Sequence, residues 1–195
     1  MGYKVITISR EYAAYGRTIA RKLSERLGIE FYDKDFVKET AIESGYTEEE
    51  IYKEGEEISA FGSVMNSILN NAAPYTSSYD EIFKAEKKVI LRLAEKPCII
   101  VGRCADHVLH EAGIDCFSVF LYADKAFRLK RAEEISENMG KDLDKLIDKV
   151  DNKRKTYYKQ YTGHELGDYK NYNICLDTGK IGIDKCVDIL VDILK

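Results

Sequence analysis

Apolar positions along this chain follow two different periods. Residues 4–9, Cys98–Val101, Cys116–Tyr122 and 172–176 form short apolar runs, and such runs bounded by turn residues suit strands buried on both faces of a sheet. Between them the spacing changes to that of a helix. Ile19, Leu23 and Leu27 recur four apart, which predicts a helix over 16–27 that Gly28 stops. A short strand is predicted over 29–32, ending at Asp33, with helices over 103–111, 124–139 and 143–161. A last helix carries Ile183, Val187, Leu190 and Leu194 on one side, with Asp184, Asp188 and Asp192 displaced from it. Residues 34–96 read as helices only. The longest of these, over 80–95, sets Ile82, Phe83, Val89, Ile90 and Leu93 on one face.

Strands that alternate with helices imply an α/β fold, a parallel sheet with helices on both faces. The 195 residues are 45% hydrophobic, enough for one core, so residues 1–195 read as one domain with an inserted helical segment. Thirty basic against thirty-four acidic residues give a net charge of −4, which argues against a nucleic-acid scaffold. The five cysteines form no CxxC pair and several fall in apolar runs, as thiols buried in a reducing compartment would. No signal-peptide pattern opens the chain and no apolar run approaches a bilayer's thickness. A cytoplasmic protein without membrane or nucleic-acid partners is the expectation. No sequence pattern sets an oligomeric state.

In a parallel sheet of this kind ligands bind beyond the carboxyl ends of the strands. Four sequence features fall there. The first strand breaks into Glu11-Tyr12-Ala13-Ala14-Tyr15 and then Gly16-Arg17-Thr18 opens a helix, the layout of a phosphate loop with Arg17 where lysine is usual. Backbone N–H groups over Tyr12, Ala13, Ala14, Tyr15 and Gly16, the Arg17 guanidinium and the Thr18 hydroxyl are the parts needed to cradle phosphates and ligate Mg²⁺. An ordinary strand-to-helix turn fits the same residues. Gly102-Arg103 follows a buried strand, where a guanidinium can fork onto phosphate or simply cap a loop. Arg128 and Arg131 lie three apart, on one helix face, suited to closing over a polyanion or to lying in solvent. Asp151 and Arg154 share the same offset, and an intrahelical salt bridge is the alternative to ligand contact. Two further signals carry less. Cys104 and His110 diverge too far around a helix to share a zinc ion with His107. Tyr157, Tyr158 and Tyr161 suit a helix packed on the core better than base stacking.

Taken together, Ile6-Thr7-Ile8-Ser9-Arg10-Glu11-Tyr12, Phe31-Tyr32-Asp33, Ile100-Val101-Gly102-Arg103-Cys104-Ala105-Asp106 and Tyr157-Tyr158-Lys159-Gln160-Tyr161-Thr162-Gly163 resemble the cytidylate-kinase-like family of P-loop proteins. The resemblance spans nearly the whole chain and is weak only over about 45–76. It implies a three-layer P-loop NTPase fold of the nucleoside monophosphate kinase type: a five-stranded parallel sheet, a core over about 1–35 and 97–195, and a substrate-binding helical insertion over about 36–96. The implied reaction moves the γ-phosphoryl group of ATP to CMP or dCMP with Mg²⁺. By the same resemblance Gly16, Arg17 and Thr18 hold ATP phosphates and the metal, and Asp33 begins the monophosphate region. Arg103 meets the substrate phosphate, Arg128 and Arg131 belong to a lid, Asp151 meets the sugar and Arg154 the transferring phosphoryl. Arg17, Arg103, Arg131 and Arg154 would be the catalytic set. The sequence departs from the family pattern where Ala13-Ala14-Tyr15 replaces Gly-Ser-Gly and where Cys104 replaces an aspartate.

Overall fold

The computed structural model describes residues 3–33, 78–135 and 142–195, with Thr40, Ile42, Glu43, Gly45 and Thr47 as isolated positions. Its strands are β1 (Val5–Arg10), β2 (Glu30–Tyr32), β3 (Cys98–Val101), β4 (Cys116–Tyr122) and β5 (Ile174–Asp177). Seven helices are seen among the described residues: α1 (Gly16–Leu27), α2 (Ser78–Leu93), α3 (Ala105–Glu111), α4 (Lys125–Glu134), α5 (Leu143–Thr162), α6 (Thr178–Ile181) and α7 (Ile183–Leu194).

All five strands run parallel in the order β2-β3-β1-β4-β5. Parallel neighbours need crossovers, and the crossover helices cover both faces. Alternate residues of the central strands therefore feed two separate cores. Ile6, Ile8, Ile99, Val101, Val119 and Leu121 pack with Ile19 and Leu23 of α1 and with Val187, Leu190 and Leu194 of α7. Val5, Cys98 and Ile100 pack on the other face with Val89, Ile90 and Leu93 of α2, Val108 and Leu109 of α3, and Tyr158 of α5. Each such side chain removed from water contributes about 1.5–3 kcal/mol. The result is the three-layer α/β arrangement anticipated from the alternating pattern.

Boundaries moved where local chemistry intervened. Helix α3 starts at Ala105 rather than 103 because Gly102, Arg103 and Cys104 all hold positive φ (79°, 61° and 53°). Strand β5 begins at Ile174, not 172. There the Ser118 N–H donates to the Asn173 side-chain Oδ1, at 2.8 Å, which displaces one rung of the ladder. Helix α4 ends at Glu134, since Ile135 is already extended (φ −81°, ψ 107°), and the rest of the predicted span to 139 lies outside the described residues. Of the predicted insertion, residues 78–96 and the isolated positions are described, and α2 packs as part of the core. A short 3₁₀ turn, Tyr169–Asn171, and α6 were not signalled by the pattern. Among the described residues no helix is long and apolar enough to cross a membrane, and all five cysteines are free thiols.

Strand β1 has β3 on one side and β4 on the other, with successive connections leaving to opposite sides. That is the topological switch point of an open parallel sheet, and the crevice at its carboxyl end is where such folds bind ligands.

Candidate active site

The loop that leaves β1 at this crevice is anchored by the sheet itself: Glu11 N–H donates to the Leu121 carbonyl at 3.0 Å. Ala13 and Tyr15 both sit in the left-handed region (φ 60° and 59°), a conformation that favours glycine. The loop thus keeps a glycine loop's shape with side chains attached. Helix α1 then starts at Gly16 with no side-chain cap from Tyr15, its first helical bond running from Ile19 N–H to the Tyr15 carbonyl at 2.9 Å. The N–H groups of this uncapped first turn, with the positive end of the helix dipole, form a ready anion cradle. Arg17 and Thr18 stand on that same turn.

On its α4–α5 side the loop is braced by buried ions. Arg128, only 7% exposed, donates from Nε to the Ala123 carbonyl at 3.1 Å and from Nη1 to the Tyr12 carbonyl at 3.2 Å and Asp151 Oδ2 at 2.5 Å. The other Asp151 oxygen accepts the Tyr12 N–H at 2.7 Å. Glu11 Oε2 lies 3.3 Å from Arg128 Nε and accepts the Ala123 N–H. Burial pushes the Glu11 carboxyl up, against the pull of Arg128. Arg128 and Asp151, read from sequence as ligand-binding, are thus turned onto each other and onto the loop backbone. Tyr15 extends the brace. Its ring lies 5.7 Å from that of Phe127 and 4.5 Å from the Arg131 guanidinium, and its hydroxyl donates to Glu134 at 3.1 Å. Arg131 also donates to Glu134 at 2.8 Å.

The β2–β3 side is built differently. Arg17 pairs with Asp33, the Arg17 side chain remaining more than half exposed. Arg10, at the end of β1, lies 4.0 Å from the same carboxylate. Arg103 donates at 2.9 Å to Glu86, a carboxylate of α2 with no solvent exposure, and Tyr157 donates to the other Glu86 oxygen. Burial raises the Glu86 pKa, against the opposing pull of Arg103 and the Tyr157 hydroxyl. Arg154 reaches back from α5, donating to the Arg10 carbonyl at 3.4 Å with its guanidinium 5.7 Å from the Tyr12 ring. The structure therefore brings Arg17, Asp33, Arg103 and Arg154 to one edge beside the α1 cradle, with Arg131 beyond Tyr15.

Sequence reasoning gave no role to the side chains of Arg10, Glu11 or Glu86, and read Tyr157 as core packing. Glu86 left a trace: it falls on the apolar face with Ile82, Val89, Ile90 and Leu93, where a carboxylate needs a buried cationic partner. A cavity of about 370 Å³, lined by Glu11, Tyr122, Asp151, Lys155 and Tyr169, adjoins the brace. A cavity of about 630 Å³ opens at the opposite, amino ends of β4 and β5, where none of the loop's residues lie.

Comparison with known proteins agrees with this geometry. Residues 5–180 match the model of the cytidylate kinase-like family. The chain belongs to the cytidylate kinase-like family. A curated cytidylate kinase from Thermoplasma acidophilum is 27% identical over 140 residues, covering 69% of this chain and 71% of that protein. Among solved structures, an uncharacterized protein from Eubacterium ventriosum superposes with a TM-score of 0.68 at 25% identity, over 97% of this chain and 96% of the other. A shikimate kinase from Bacteroides thetaiotaomicron gives a TM-score of 0.60 at 15% identity, with 97% of each chain covered, and shows the fold alone. Family and fold are those of phosphoryl-transferring, nucleotide-binding kinases.

Proposed function

We propose that this protein transfers the γ-phosphoryl group of ATP to a nucleoside monophosphate, CMP or dCMP, within one domain comprising a core and a substrate-binding helical insertion. The observation that carries the reading is the uncapped start of α1, bearing Arg17, at the switch-point crevice with Arg103 and Arg154 at the same edge. N–H groups of the loop and of the first turn, Gly16 to Thr18, and the Arg17 guanidinium would hold the donor phosphates. Thr18 offers the hard hydroxyl oxygen that Mg²⁺ accepts, and the ion, when bound, neutralises charge on the β- and γ-phosphates. Arg103, fixed by Glu86, and Arg154, fixed by the Arg10 carbonyl, would orient the acceptor phosphate. Such positioning and charge stabilisation are most of what phosphoryl transfer asks of a protein. Arg131, already stacked on Tyr15, would lie over the donor side.

The test is direct. Incubation with Mg-ATP and a panel of ribo- and deoxyribonucleoside monophosphates, followed by separation of the nucleotides, should give ADP and CDP or dCDP in equal amounts. ATP turnover with no diphosphate product from any member of the panel would overturn the reading. A second reading, a nucleotide-binding module without catalysis, is favoured by one observation: Ala13 and Tyr15 place Cβ atoms in left-handed loop positions where a phosphate approaches closely. Nucleotide binding without transfer would select it, and transfer to a different phosphate-bearing acceptor would select a kinase of other specificity.

A further inference from the structure

Arg10 is the least satisfied strong donor at this edge. Its stem crosses Gly16 and its guanidinium ends on Gly102: a Cβ on Gly16 would lie 2.8 Å from Arg10 Cγ, and one on Gly102 would lie 2.2 Å from Nη1. Two glycines, one opening α1 and one following β3, thus leave the channel that this side chain fills. Within the channel the guanidinium donates no hydrogen bond among the described residues. Its nearest counter-charge is Asp33, at 4.0 Å, and Asp33 is already engaged by Arg17. About a fifth of the side chain remains open to solvent. Burial, and then the neighbouring Arg154, Arg103 and Arg17, hold its pKa down to about 9, with Asp33 opposing them. An arginine packed this closely, pointed at the crevice and short of partners, is arranged to receive an anion.

We propose that Arg10 is an anion-binding residue of this site, taking the phosphate of the acceptor at the end of its guanidinium, alongside Arg17 and Arg103. The inference rests on the kinase reading above and makes it narrower. A guanidinium with its donors open selects an acceptor that brings a phosphate, a doubly charged tetrahedral group, over one of the same shape that brings only a hydroxyl. Left without an anion, the three guanidiniums repel, so each loses more than its own contact when the phosphate is missing. Asp33 is the local competitor, since its carboxylate draws Arg17 away from the same anion.

Equilibrium binding by calorimetry at constant ionic strength tests this with inorganic phosphate, CMP and Mg-ADP as separate probes. The protein should bind phosphate, and R10M should weaken both phosphate and CMP by tenfold or more while leaving Mg-ADP within about twofold. R10K keeps the charge but not the fork and should fall between the two. D33N, which removes the competitor, should tighten phosphate binding. Phosphate bound equally by the wild type, R10M and R10K overturns the proposal, as does a wild type that binds no phosphate, or an equal loss of Mg-ADP and phosphate. Should R10M fail to fold by circular dichroism, R10K decides: binding equal to wild type overturns it, and a three- to tenfold loss supports it. Loss of phosphate binding in R10M, in a protein that never phosphorylates CMP, would sink the cytidylate reading and leave Arg10's role standing.

Discussion

The two flanks of the phosphate loop are made from the same residue types and behave as opposites. On the α4–α5 flank, Arg128 and Asp151 are each about nine-tenths buried, and both carboxylate oxygens and most guanidinium donors are satisfied by protein. On the β2–β3 flank, Arg17 is more than half exposed, and Arg10 makes no hydrogen bond through its guanidinium among the described residues. The first flank spends its donors on the protein, whereas the second pairs Arg103 with buried Glu86 and leaves Arg10 with donors to spare. Charge alone does not mark a ligand contact. What marks it is a strong donor held in place with its hydrogen-bonding capacity left over. On that criterion the loop is shaped from one side so that it can work from the other.

The most damaging way to break this contrast is R128A. Truncating one member of a buried ion pair leaves the other uncompensated, here Asp151 with Glu11 beside it, and such losses run to about 3–5 kcal/mol. The urea-unfolding midpoint should drop accordingly, with nucleotide binding lost because the Tyr12 carbonyl and the loop come adrift. A loss under about 1 kcal/mol would place Arg128 among ordinary surface arginines and dissolve the distinction between the flanks.

A buried carboxylate without a guanidinium sharpens the same comparison. Asp106 is 6% exposed, accepts the Tyr158 hydroxyl at 2.7 Å on Oδ2, and has no hydrogen-bond partner on Oδ1 among the described residues. Burial raises its pKa, opposed by that hydrogen bond. An acid whose folded pKa lies above the unfolded one adds stability that is full below the unfolded value and lost as pH rises through the folded value. Stability of the wild type should therefore decline from pH 4 toward pH 7 by this group's share. D106N, which cannot ionise, should match the wild type near pH 4 and exceed it near pH 7 by about 1 kcal/mol, the low end of the penalty for an unpaired buried polar group. Thermal unfolding across that range checks it. A D106N protein that is less stable than wild type at pH 7 would show the carboxylate to be paired in solution.

Most of the sheet was legible because apolar runs such as Cys98–Val101 leave a buried parallel strand few alternatives. Helices α1 and α7 were legible by spacing four and by Gly28. Errors arose where one side chain replaced a backbone rung, as Asn173 does beside Ser118, or where positive φ delayed a helix, as at Arg103 and Cys104. Within the site, Arg17, Arg103 and Arg154 were legible as basic residues near strand ends or on the helix that returns to them. Arg10 was not, because its meaning depends on two glycines distant in sequence that meet only when β1, β3 and α1 assemble. The pairing of Arg128 with Asp151 was hidden for a related reason: an Asp and an Arg on separate helices do not reveal that they face each other.

The smallest effect should come from the loop's missing glycines. Ala13 sits at φ 60°, and a left-handed conformation costs a residue with a Cβ about 1 kcal/mol. A13G removes that strain but gives the unfolded chain more freedom, which costs about 0.5–1 kcal/mol. The two terms nearly cancel, so the unfolding free energy should move by less than about 0.5 kcal/mol. Because Ala13 already holds the geometry a glycine would adopt, the phosphate-facing N–H groups do not shift, and turnover with Mg-ATP should stay within about twofold. Tyr15, at φ 59°, is not equivalent. Glycine there also strips the ring from Phe127 and Arg131 and the hydroxyl from Glu134, so Y15G should lose stability where A13G does not. Urea midpoints and initial rates for the two variants separate these cases. A large gain in rate from A13G would mean that its methyl group, and not the brace behind the loop, limits how closely a phosphate can approach.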